Sequence, residues 1–67
     1  MSLRFHEWSH RRCHVYSDEW YHGNDQVGEI IFPGNKALFL VDSPAILFTE
    51  SDLREVADKM AEIGKDQ

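Results

Sequence analysis

The sequence predicts an α+β domain: a small antiparallel sheet of three to four strands, followed by one C-terminal amphipathic helix packed on one face of that sheet. Three observations carry this expectation. Apolar positions recur at helical spacing near the C-terminus, short β-prone runs precede them, and the chain is 67 residues long. A chain of that length hides only about 60% of its unfolded surface, so it supports one core and one domain.

The first 14 residues form a basic, histidine-rich segment. Arg4, Arg11 and Arg12 against Glu7 give it a balance of +2, and the total of -5 leaves -7 for the rest. His6, His10, His14 and the single Cys13 lie in the same segment. Residues 15 to 48 are β-rich. Cys13 to Tyr21 reads as a strand ending at the turn His22-Gly23-Asn24-Asp25. Val27 to Phe32 and Ala37 to Asp42 read as a hairpin around Pro33-Gly34-Asn35-Lys36, where proline presets one turn angle and glycine or asparagine accepts a positive one. Ala45 to Phe48 is a further β-prone run, introduced by Asp42-Ser43-Pro44 and leading straight into the helix.

The helix is expected from about residue 50 to 63, within a segment of 49 to 64. Leu53, Val56, Ala57, Met60, Ala61 and Ile63 mark its apolar face. Thr49 is the expected N-cap, with Asp52 completing a variant capping box and Phe48 stapled to Leu53. Gly64 is expected to stop the helix in the left-handed conformation. Glu55 with Lys59 and Arg54 with Asp58 are the expected i,i+4 pairs of a solvated face.

Neither Ile30-Ile31-Phe32 nor Ala37-Leu38-Phe39-Leu40-Val41 alternates with polar residues, so the middle strands are apolar on both faces. One helix covers one face. The other must be covered by the N-terminal segment or meet a second molecule.

Composition narrows the function classes. The acidic balance and a pI near 5.1 oppose general affinity for nucleic acid or anionic lipid. The longest apolar run, Ala37 to Val41, falls far short of the roughly 20 residues a membrane helix needs. No apolar leader follows Met1, and one cysteine forms no internal disulfide, so a reducing cytoplasm is the expected compartment.

The most specific motif is His6-Glu7-Trp8-Ser9-His10, an H-E-x-x-H pattern. On a helix it sets two zinc ligands one turn apart with a general base between them. His14 would lie about 12 Å along the axis from His6, out of reach of the same ion. On a strand, His6 and His10 would stand about 13 Å apart. A zinc-binding protein built on His6 and His10, with His14 at its margin, is therefore an alternative reading, and no metal site is assigned. Gly34-Asn35-Lys36 lacks the glycine and hydroxyl of a phosphate loop. Cys13 has no resolving partner and is expected to be structural. No catalytic residue and no cofactor is expected.

The aromatic residues point elsewhere. Phe5, Trp8, Tyr16, Trp20 and Tyr21 place five of the eight aromatics in the first third of the chain. Aromatic rings beside arginine make binding hot spots. The sequence thus predicts a small non-enzymatic interaction module, a regulator or inhibitor, that binds another protein through Trp8, Arg11, Arg12, Tyr16, Trp20 and Tyr21 and can self-associate as a homo-oligomer. A second alternative is weak binding of single-stranded nucleic acid by the basic N-terminal segment.

Overall fold

The computed structural model describes residues 3–9, 11–19 and 26–65. Four strands precede one helix: β1 (Leu3–Ser9), β2 (Arg12–Ser17), β3 (Gln26–Ile31), β4 (Leu38–Val41) and α1 (Glu50–Lys65). Each strand pairs antiparallel with the next, so the sheet is a meander in the order β1-β2-β3-β4. The α+β architecture of a small antiparallel sheet followed by a C-terminal helix is therefore present.

The N-terminal segment does not fold across the second face of the sheet. Leu3–Ser9 becomes an edge strand instead, with Leu3 and Phe5 turned to the same side as Cys13 and Val15 of β2. The expected strand from Cys13 to Tyr21 begins at Arg12 and closes at Ser17; Tyr21 lies outside the described residues. The buried Ser17 hydroxyl accepts a hydrogen bond from the Glu19 amide at 3.1 Å, turning the chain away from the ladder.

Two register shifts adjust the pleat. One lies between Glu7 and Ser9, where Trp8 is the extra residue. The other lies at Val15/Tyr16: Val15 pairs with Gly28 and Tyr16 with Gln26, which makes Val27 the extra residue of β3. A bulge lets neighbouring residues turn to one side, and Val27 and Gly28 are both buried. This partly explains the missing alternation in β3.

Gly34 turns the β3–β4 hairpin with φ of 73°, as the turn chemistry requires. Gly28 is needed for a different reason. A Cβ there would stand 2.5 Å from the Leu40 carbonyl oxygen and 2.5 Å from the Phe39 ring, which lies over it. The run Ala45 to Phe48 is not a strand. Ser43 captures the Ala45 amide with its hydroxyl at 3.2 Å and the Ile46 amide with its carbonyl at 3.2 Å, and a turn replaces extended backbone.

The core joins Leu3, Cys13, Val15, Val27, Ile30 and Phe32 to Val56 and Ile63 of α1, with Phe5, Phe39, Phe48 and Met60 packed around them. The helix starts where the sequence predicts. Thr49 Oγ1 accepts from the Asp52 amide at 3.1 Å, and the Asp52 carboxylate accepts from the Thr49 amide at 2.9 Å, a reciprocal capping box. Its end differs: α1 runs through Gly64 to Lys65, and Gly64 does not take a positive φ. Its buried face is also rotated, passing through Asp52, Val56 and Ile63 while Leu53, Ala57 and Ala61 are exposed. Phe48 turns its ring onto Phe39, with centroids 5.7 Å apart.

The expected helix pairs are replaced as well. Arg54 pairs with Glu50, one turn back. Lys59 reaches across to Glu7 of β1 at 2.7 Å and to Glu62 at 3.4 Å, with its ammonium over the Phe5 ring, and so ties α1 to the first strand.

Candidate interaction surface

Alternation and register fix which side chains share the face of the sheet that α1 leaves bare. His6 stands opposite His14, His14 opposite Glu29, and Glu29 opposite Leu40. The neighbouring rows are Arg12, Ile31 and Leu38 on one side and Arg4 with Tyr16 on the other. No described segment crosses them, and Trp8, Leu38 and Leu40 remain 48%, 46% and 52% exposed.

The half built by β1 and β2 is aromatic, with an arginine–carboxylate pair at each end. Trp8 packs on His14 with centroids 5.2 Å apart, and the Arg12 guanidinium lies 5.6 Å from the Trp8 ring centroid. The His14 ring meets Tyr16 edge-on, with the Tyr16 hydroxyl 3.3 Å from His14 Nδ1. Arg4 lies over Tyr16 at 5.8 Å and pairs with Asp18 at 3.0 Å.

Glu29 organises this group. Its Oε2 accepts from Trp8 Nε1 at 3.3 Å and lies 3.6 Å from Arg12 and 3.7 Å from His14 Nε2. One carboxylate thus answers an indole N–H, a guanidinium and an imidazole and fixes the rings, while Asp18 answers Arg4. The other half, built by β3 and β4, presents Ile31, Leu38 and Leu40 as plain aliphatic surface. The whole is an amphipathic face with an aromatic end of paired charges and a greasy end.

Of the residues singled out from the sequence, Trp8, Arg12 and Tyr16 come together here. Arg11 does not join them. Its Nη1 donates to the Phe32 and Gly34 carbonyls, each at 2.9 Å, and so ties the β1–β2 connection to the β3–β4 turn. Trp20 and Tyr21 lie outside the described residues. Sequence reasoning missed Glu29, Leu38 and Leu40 as surface residues. The available signal was Glu29 itself, a carboxylate set between Gly28 and Ile30 in an otherwise apolar strand.

The zinc alternative finds no support in the geometry. His6 to Ser9 is extended strand, not the helical turn that H-E-x-x-H requires, and His10 lies outside the described residues. Among the described residues no group of three or more His, Cys, Asp or Glu side chains is placed to hold a metal ion. Cys13 lies on the opposite, core side of the sheet, fully buried, with its thiol 3.6 Å from the His14 carbonyl oxygen. Burial pushes its pKa up, which keeps the thiol protonated and inert at neutral pH. Among the described residues no helix is long and apolar enough to cross a membrane. Comparison with protein-family models, curated proteins and solved structures finds no match.

Proposed function

We propose that the protein is a non-enzymatic recognition module of a reducing compartment, the cytoplasm, that binds another protein through the bare face of its sheet and regulates or inhibits that partner by occupying its surface. One observation carries the reading: exposed Trp8, Leu38 and Leu40 sit on a single face beside Arg4 and Arg12, with nothing described in the chain to cover them. The chemistry of the face selects the occupant. An apolar patch fits Leu38 and Leu40, and polar groups that can share the exposed Arg4–Asp18 and Arg12–Glu29 pairs fit beside it, so the partner presents a hydrophobic centre with a polar margin. Nucleic acid fits less well, because the aliphatic half offers no stacking partner and the remainder of the chain repels phosphate.

The test compares the intact chain with a Trp8→Ser/Leu40→Ser variant whose circular dichroism and melting are unchanged. A protein captured from source-cell extract is purified, and its affinity is measured by calorimetry. Removing two hot-spot side chains should weaken binding by about thirtyfold or more, the equivalent of roughly 2 kcal/mol. Equal affinity for the variant would overturn the proposal. So would oligonucleotide binding that falls steeply with salt and disappears in Arg12→Ala.

A further inference from the structure

The two edges of the sheet are built differently. β1 carries Arg4, His6 and Glu7 and a register shift at Trp8, all devices that discourage a further strand from adding. β4 reads Leu38-Phe39-Leu40-Val41, with no charge, proline or bulge, and Leu38, Leu40 and Val41 are about half exposed. The hydrogen-bonding phase of β4 follows from the Asp42 amide, which donates to the Val27 carbonyl at 3.0 Å. Antiparallel ladders alternate, so Leu40 and Leu38 direct their peptide groups toward β3, and Phe39 and Val41 direct theirs outward.

We propose that this edge pairs with β4 of a second copy, antiparallel about a two-fold axis at Leu40, joining two sheets into one continuous sheet. Phe39 then exchanges its outward main-chain hydrogen bonds with Val41 of the second copy, and Val41 with the second copy's Phe39. Leu40 faces Leu40 of the second copy on the bare side.

Main-chain hydrogen bonding selects this arrangement over stacking bare face on bare face, because only edge pairing answers the outward peptide groups of Phe39 and Val41. It leaves Trp8, Arg12 and Tyr16 open but shares Leu40 with the partner reading above, so Val41→Lys and Trp8→Ser, each confined to one proposal, tell the two apart. The contact is smaller than a standard interface, and the dimer is weak and concentration-dependent.

Sedimentation equilibrium from micromolar to millimolar protein tests it, together with two cysteine variants in a glutathione redox buffer. The intact chain should pass from monomer to dimer over that range, and Val41→Lys should stay monomeric while still binding any partner that Trp8→Ser loses. Leu40→Cys, opposite its own counterpart in a non-hydrogen-bonded pair, should have Cα atoms about 4.5 Å apart and cross-link readily. Leu38→Cys, opposite Asp42 of the second copy, should cross-link at least tenfold more slowly. A strictly monomeric chain, a dimer that survives Val41→Lys or is lost in Trp8→Ser, or equal cross-linking at both positions would each overturn the proposal. The cross-linking comparison decides the matter even if Val41→Lys fails to fold.

Discussion

The two faces of the sheet share a backbone and differ in what answers their apolar side chains. On the core face, Cys13, Val15 and Ile30 are fully buried under α1. On the bare face, their neighbours Arg12, His14 and Ile31 keep part of their surface in water. The bare face solves this in two ways. β1 and β2 use side chains that are apolar along their length and polar at the tip, namely Trp8, His14, Tyr16 and Arg12, tied to one another and to Glu29. β3 and β4 use Ile31, Leu38 and Leu40, which have no polar tip to give the water. The difference teaches that hydrophobic residues in a small domain divide into those that hold the fold and those left over, and that the leftovers are where binding is to be sought.

Adjacent isoleucines give the sharpest way to break the comparison. Ile30→Ala deletes a fully buried side chain from the centre of the core and should cost about 2–5 kcal/mol. Ile31→Ala acts on the other face, and its cost should be well under half of that. Urea unfolding of the two variants side by side measures this, and equal losses would mean that both faces are packed.

Gly28→Ala comes next. The added Cβ meets the Leu40 carbonyl as well as the Phe39 ring. A ring can swing away, but a carbonyl moves only with its strand, so β3 and β4 must part. The expected cost is about 1–3 kcal/mol. Hydrogen exchange should rise first at the Leu38 and Leu40 amides, and Phe39→Ala should relieve only part of the loss.

Much of the fold was legible because its signals are local. Thr49 and Asp52 announce the helix start within four residues, and Pro33-Gly34 announces a turn. What escaped depends on contacts distant in sequence. Nothing in Leu3 to Ser9 says that it pairs with β2, since its alternation puts Glu7 on the helix side, where the carboxylate keeps contact with water and meets Lys59 of α1. The same long reach explains why the sequence alone pairs Lys59 with Glu55 and presents Arg11 as a surface residue, whereas Lys59 meets Glu7 and Arg11 braces two turns. Gly64 looked like a helix stop by type alone, but its neighbourhood permits ordinary helix, and a Cβ there would touch Phe32 at a comfortable 3.9 Å. The bare face was legible in outline, from apolar runs without alternation. Its chemistry was not, because Glu29 acquires meaning only through register with His14 and Leu40.

The smallest expected effect is on the alkaline side and again separates the faces, because the groups concerned belong to the helix-covered one. Burial raises the Cys13 pKa, and the hydrogen bond to Glu7 raises that of Lys59. A group whose folded pKa lies above its unfolded value gives stability that is complete below the unfolded pKa and is lost as pH rises through the folded one. The urea midpoint should therefore fall in two stages, first above the ordinary thiol range and then above the ordinary lysine range. Cys13→Ala should remove the first stage and Glu7→Gln the second. The second should be slight, about 0.2–1 kcal/mol, because the Glu7 side chain is 47% exposed and water screens the pair. Trp8→Ser should leave both stages in place, since the Trp8 ring lies on the bare face, opposite the side that holds the Cys13 thiol and the Lys59–Glu7 pair. A midpoint that stays flat with pH, or a profile altered by Trp8→Ser as much as by Glu7→Gln, would show that the two faces are not energetically separate.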